Sequence, residues 1–229
     1  MSNDAIQEQI AYYRARAGEY DEWFYRIGRY DHGEENNRRW FDEAAEAMRT
    51  LHGLGPVDEA LELACGTGIW TRELLTVSKH ITAIDASPEV IEVNRNKLQS
   101  SKVEYQQADL FAWKPAREYD LVVFAFWLSH VPPERLDEFL GKVYRATRSG
   151  GTIFMVDSRS EQTSTAKDTP IQKRGDSVQV RRLKDGREFN IVKVFYEPDR
   201  LREQLAAAGF DADVKLTEKY FIYATGTKR

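Results

Sequence analysis

The chain has 229 residues and carries 37 acidic and 33 basic side chains, a net charge of −4. That balance argues against a nucleic-acid partner, which leaves a basic footprint on its domain, and no apolar run approaches the ~20 residues of a bilayer span. One cysteine excludes an internal disulfide, and no Cys/His spacing marks a metal site. The length suits a single α/β domain with additions. The polar, mixed-charge beginning has no secretory pattern, so the expected compartment is the cytoplasm.

Residues 4–29 read as helical and unusually aromatic, with Tyr12, Tyr13, Tyr20, Trp23, Phe24 and Tyr25. Residues 35–52 give a second helix, with Trp40, Ala44, Met48 and Leu51 at helical spacing. Gly53, Gly55 and Pro56 end it. A strand at 58–63 leads into a helix at 67–77, and a second strand covers 80–85. Ser87-Pro88-Glu89 starts the next helix, with serine at the cap and proline at the first helical position. Strands are predicted at 103–107 and 121–125, a helix from Pro132-Pro133 to 146, and a strand at 152–157. The polar stretch 158–176 reads as a mobile loop. Alternation on either side of Lys184-Asp185-Gly186 predicts a β-hairpin over 178–194. A helix at 197–208 and strands at 212–217 and 220–226 complete the chain. Lys173-Arg174 and Arg181-Arg182 read as solvated basic faces.

The most informative stretch is Ala60-Leu-Glu62-Leu-Ala64-Cys65-Gly66-Thr67-Gly68. An apolar run ends in a carboxylate, and two glycines one residue apart follow. Glycine permits a sharp turn and close approach of a ligand to the backbone, and the next helix presents unpaired N–H groups. The second strand ends at Asp85, whose two oxygens suit a ribose diol. Two ligands can use this frame. A dinucleotide prefers Gly-x-Gly-x-x-Gly, but Thr71 stands at the third glycine position and Glu62 repels a pyrophosphate. A cationic nucleoside tolerates both. Cys65 reads as a small packing residue in the turn.

Glu62-x-Ala64-x-Gly66-x-Gly68 resembles the first motif of class I S-adenosylmethionine (SAM)-dependent methyltransferases. Asp85, then Ala108-Asp109-Leu110, then Tyr119-Asp120-Leu121-Val122-Val123 match later motifs in order. The resemblance is strong over residues 55–158 and weak before residue 40. It implies a Rossmann-like, seven-stranded, mostly parallel sheet with the last strand antiparallel and helices on both faces. An N-terminal helical lid (1–54) and an inserted hairpin flank a cofactor-binding core (57–158) within one domain. It implies SAM as cofactor and a small-molecule acceptor methylated on oxygen or nitrogen, with no metal.

The resemblance places Glu62 at the methionine ammonium, Ala64, Gly66 and Gly68 along the backbone cradle, and Asp85, Ala86 and Ser87 at the ribose. Asp109, Leu110 and Phe111 fall at the adenine. In the lid, Tyr13 and Tyr20 are candidates to reach the cofactor, with Arg14 a weaker one. Phe126 and Trp127 follow the fourth strand, where an aromatic face favours a cation by about 0.5–2 kcal/mol. They border the sulfonium or sandwich a flat acceptor, and packing in the core is the alternative. Tyr12, Trp23, Trp127 and His130 are the candidate acceptor-binding residues. His130 is the candidate general base, since an unperturbed imidazole titrates near 6.5. The expected acceptor is aromatic or apolar. A cofactor-binding subunit without turnover, and a dinucleotide oxidoreductase, are the competing readings. A homodimer is left open.

Overall fold

In the computed structural model, residues 3–169, 171 and 177–229 are described. Lys173 and Arg174, expected on a solvated face, lie outside the described residues. The aromatic N-terminal stretch is broken into pieces. Helix α1 (Asn3–Ala15) and the short α2 (Tyr20–Phe24) are separated by a turn through Gly18, and a 3-10 turn covers Gly28–Tyr30. Helix α3 (Glu34–His52) follows and buries Trp40, Ala44, Ala47 and Leu51.

The core alternates strand and helix. It runs β1 (Val57–Leu63), α4 (Ile69–Leu74), β2 (Ser78–Asp85), α5 (Pro88–Leu98), β3 (Val103–Gln107) and β4 (Tyr119–Ala125). Then come α6 (Leu136–Ala146), β5 (Thr147–Ser158), the hairpin β6 (Val178–Arg182) and β7 (Glu188–Val192), α7 (Pro198–Ala207), β8 (Phe210–Leu216) and β9 (Phe221–Lys228). Ser87 caps α5 as expected, accepting the Val90 N–H at 3.4 Å. Pro132-Pro133 opens a 3-10 turn and α6 begins only at Leu136.

Seven strands form one sheet in the order β3-β2-β1-β4-β5-β9-β8. Pairings among β1 to β5 are parallel, and β9 is antiparallel to both of its neighbours. The hairpin forms a separate two-stranded sheet. One face of the large sheet packs against α6 and α7 through Phe139, Val143, Leu201 and Leu205. The other packs against α3, α4 and α5 through Trp40, Leu51, Leu74 and Ile91. Burying each such side chain stabilises the fold by about 1.5–3 kcal/mol. The chain winds outward from β1 to β3 and returns to β4, so the topological switch point lies between the C-terminal ends of β1 and β4, where ligands bind in open α/β sheets.

The described part of 158–176, where a mobile loop is expected, is anchored at several points. A 3-10 turn covers Gln162–Ser164, and Ser164 and Ala166 are buried. Trp23 Nε1 donates to the Ser164 carbonyl at 2.9 Å, and Arg29 Nη2 donates to Thr169 Oγ1 at 3.0 Å. These long-range bonds tie the segment to the N-terminal region.

Candidate functional site

Two cavities meet above the switch point. The first is a cleft of about 750 Å³ at the ends of β1, β2 and β4. Ala64, Gly66, Asp85, Ala86 and Ser87 form its floor, with Asp109, Leu110 and Phe111 at one side. Tyr13 and Tyr20 close it from the N-terminal segment, and Phe126, Trp127 and His130 from the segment after β4. The sequence-predicted cofactor residues are therefore brought together, with two exceptions in detail. Glu62 lies under a small adjoining recess that Ala64, Gly66, Tyr20 and Phe126 also line. Gly68 lines neither space. It holds φ +91°, and a Cβ there would stand 2.5 Å from Asn94 Oδ1, so it is glycine for packing against α5 and not for ligand approach.

Backbone geometry is unusual at this floor. Ala64 (φ +57°) and Phe126 (φ +53°) both adopt left-handed conformations, which cost non-glycine residues about 1–2 kcal/mol each. Both sit just past the strands that flank the switch point. Such strain persists where the surroundings impose it and clusters at functional sites. At Phe126 the N–H donates to the Val156 carbonyl at 2.7 Å.

The carboxylates are held in defined states. Asp85 Oδ2 accepts the Gly66 N–H at 3.0 Å and Oδ1 accepts the Ser87 N–H at 2.9 Å. Each oxygen keeps a lone pair for a further donor. Asp109 Oδ1 accepts the Phe111 N–H at 2.9 Å. Glu62 is 1% exposed, and Thr71 donates to its Oε2 at 2.6 Å. No cation faces it among the described residues. Burial, with the nearby Asp85, pushes its carboxyl up to about 8. A buried carboxylate without a counter-ion fits an incoming ammonium group.

The second cavity, about 680 Å³, lies between α1, the 3-10 turn at Gly28–Tyr30, the 164–169 segment and the hairpin. Tyr12 and Trp23, two of the candidate acceptor-binding residues, line it. Trp127 does not: it lines the first cavity, its ring 5.6 Å from that of Phe111. What the sequence reading missed is the charge. Arg16, Arg29, Arg181 and Lys193 all line this cavity. Arg181, expected on a solvated face, is half-buried here, whereas Arg182 is exposed and paired with Glu188. Arg29 pairs with Asp168 at 2.7 Å and Lys193 with Asp157 at 3.1 Å. Arg16, 9% exposed, and Arg181 have no carboxylate partner among the described residues. Arg14, the weaker lid candidate, points elsewhere: it pairs with Glu89 on α5 at 3.0 Å.

Four residues line both cavities: Tyr13, Tyr20, Phe126 and His130. His130 is buried, its Nδ1 is 2.6 Å from the Val192 carbonyl, and its Nε2 is 2.7 Å from the Tyr13 hydroxyl. Burial and the charge of Lys193 push its pKa down to about 3, so the ring is neutral at physiological pH. No cluster of metal-ligating side chains occurs among the described residues, and no helix there is long and apolar enough to cross a membrane.

Residues 60–151 match the family model described as a methyltransferase domain. The solved DhpI–SAM–HEP complex is 37% identical, with TM-score 0.81 over 99% of each chain. The chain belongs to the SAM-dependent methyltransferase family. SAM is accordingly its cofactor, and the glycine turn belongs to a methyl-transfer fold. Among curated relatives, a ubiquinone biosynthesis O-methyltransferase of Aromatoleum aromaticum is 29% identical over 51% of this chain and 56% of its own length. A trans-aconitate 2-methyltransferase of an Azoarcus species is 31% identical over 50% of this chain and 46% of its own. The chain thus spans about half the length of these curated relatives.

Proposed function

We propose that this protein transfers the methyl group of SAM to an oxyanion of a small acceptor held in the cationic cavity. The observation that carries the reading is the junction of the two cavities. A nucleoside cleft lined by Asp85 and Asp109, beside the recess over buried Glu62, shares Tyr13, Tyr20, Phe126 and His130 with a space walled by Arg16, Arg29, Arg181 and Lys193. An apolar or neutral aromatic acceptor, expected from the sequence, would leave two of these charges with neutral partners only, the Tyr30 hydroxyl and tyrosine rings for Arg16 and Gln179 for Arg181, which is costly. An anion offsets that cost and accepts charge-assisted hydrogen bonds. The trans-aconitate relative is named for an organic acid.

When bound, SAM supplies an electrophilic methyl carbon on a positively charged sulfur. Everything else falls to the chain's own residues. Glu62 holds the ammonium, Asp85 the ribose hydroxyls, and Asp109 with Leu110 and Phe111 the base. The arginines fix the acceptor oxygen in line, and alignment of this kind contributes much of the rate enhancement. An oxyanion is already a nucleophile, so no general base is required. That agrees with His130, whose Nε2 is engaged by Tyr13 and which does not hold a proton near pH 7. Exclusion of water by the chain's own residues would favour transfer between a cationic donor and an anionic acceptor, whose charges cancel. The N-terminal segment supplies that exclusion. Asp21 accepts the Thr67 hydroxyl at 2.5 Å and pairs with Lys97, strapping α2 over the glycine turn.

Titration calorimetry with SAM and, separately, NAD tests the cofactor half. Binding of SAM alone is expected, and binding of NAD alone would overturn it. Release of S-adenosylhomocysteine in the presence of small acids tests the acceptor half, and release only with neutral acceptors would overturn it.

A further inference from the structure

We propose that the phenolic oxygen of Tyr13 orients the transferring methyl group, and that His130 serves the reaction as a positioning residue by fixing that oxygen. The proposal rests on the methyltransferase reading above and adds a role that the reading does not require.

On that reading the methyl passes from one cavity towards the other, at the boundary formed by Tyr13, Tyr20, Phe126 and His130. Two of these four carry a side-chain oxygen. The hydrogen bonds of His130 decide how one of them is presented. The Val192 carbonyl, 2.6 Å from Nδ1, can only accept, so Nδ1 carries the ring proton. In the neutral ring Nε2 is then bare, and the bond to Tyr13 at 2.7 Å must be donated by the phenol. The proton of Tyr13 is thereby tied to His130, and the lone pairs of its oxygen remain for another partner. Tyr20 has no such anchor, since its hydroxyl has no hydrogen-bond partner among the described residues.

The anchor itself is stiff. Gln9 lies one turn before Tyr13 on α1, on the same face. Its Nε2 donates to the His130 carbonyl at 3.1 Å, and its Oε1 accepts the Val192 N–H at 3.0 Å. Helix α1, the turn after β4 and strand β7 are therefore locked at one point, with Tyr13 projecting from it. Methyl hydrogens on a sulfonium are electron-poor, and a lone pair aimed at them makes a C–H···O hydrogen bond. Such a contact holds the methyl on the line between sulfur and acceptor, where displacement proceeds. Burial keeps Tyr13 protonated throughout, so it acts through its lone pairs and not as a base.

The test uses SAM labelled with 13C in its methyl group, bound to the full-length protein and observed by isotope-filtered NMR, beside calorimetry for affinity. In wild type the bound methyl protons are expected downfield of those in free SAM. In Tyr13→Phe they move back upfield, while affinity changes by less than about tenfold. His130→Asn keeps a donor for Val192 but loses the acceptor for Tyr13, so the same upfield movement is expected with the phenol still present. With an acceptor added, kcat is expected to fall about tenfold or more in either variant. A methyl resonance unchanged in Tyr13→Phe with SAM bound would overturn the proposal. Failure of the wild-type protein to bind SAM would overturn the reading beneath it.

Discussion

Thr71 donates its hydroxyl proton to Glu62 Oε2 at 2.6 Å, and Asn94 in turn donates to Thr71 Oγ1 at 2.9 Å. The relay fixes the orientation of a carboxyl group that has no counter-ion of its own. Burial holds Glu62 up to about 8 in the ligand-free protein, so it is largely protonated at neutral pH. It must ionise to receive the ammonium of the cofactor.

SAM affinity should therefore rise with pH as Glu62 ionises, by up to about tenfold per unit below pH 8. Above that it should level and fall, because an α-amino group loses its own proton near 7.7–8.0. Calorimetry in buffers of different ionisation enthalpy should detect a proton released on binding at pH 7. Glu62→Gln should abolish the acidic limb and weaken binding. A carboxyl with a raised folded pKa stabilises the native state at low pH and loses that contribution as pH rises through the folded value. Glu62→Gln should accordingly raise the melting temperature of the ligand-free protein at pH 8, by roughly 4 °C or more.

Arg181→Gln and Arg16→Gln should each raise the KM for an anionic acceptor by about 10–100-fold, the worth of a hydrogen bond to a charged group. The Kd for SAM should stay nearly constant, since neither arginine lines the cofactor cleft. Steady-state kinetics beside calorimetry separates the two effects.

The Asp157–Lys193 pair is buried, and Ser129 links both members: its N–H donates to Asp157 Oδ2 at 2.9 Å and its hydroxyl accepts from Lys193 at 2.7 Å. Although burial opposes ionisation, the charge of Lys193 and the Ser129 N–H hold Asp157 below the usual carboxylate range. Its contribution to stability is thus present above the unfolded value near 3.9 and lost as pH falls through the depressed folded value. Asp157→Ala leaves a buried lysine unpaired and should cost about 3–5 kcal/mol in denaturant unfolding.

Gly68→Ala forces a Cβ to 2.5 Å from Asn94 Oδ1 at a φ of +91°. Displacing Asn94 also removes the support of Thr71. A loss of about 1–3 kcal/mol is expected in thermal or denaturant melts, with weaker SAM binding through Glu62.

Those features of the site that are local were legible in the sequence. Glu62, the glycine turn, Asp85 and the Ser87 cap each depend on a few neighbouring residues, and the 2- and 3.6-residue periods located the strands and helices. The cationic cavity was not legible, because Arg16, Arg29, Arg181 and Lys193 come from separate segments that meet only when the hairpin docks on α1. The hairpin also inverts the usual pattern. Alternation in Val178-Gln179-Val180-Arg181 suggests that the valines face inward, yet Gln179 is 1% exposed and Val180 36%. The polar face turns inward because it walls a charged cavity. The stretch 4–29, read as helical, holds two helices, and the turn near Gly18 between them lets Tyr13 and Tyr20 face the same cleft.

The most direct measurement is a turnover assay, following S-adenosylhomocysteine release from SAM, on a panel of small carboxylic and phosphoryl acids set beside neutral phenols and amines. The account predicts turnover on acids, sharply reduced in Arg181→Gln at subsaturating acceptor. Turnover confined to neutral phenols or amines, indifferent to Arg181, would contradict it.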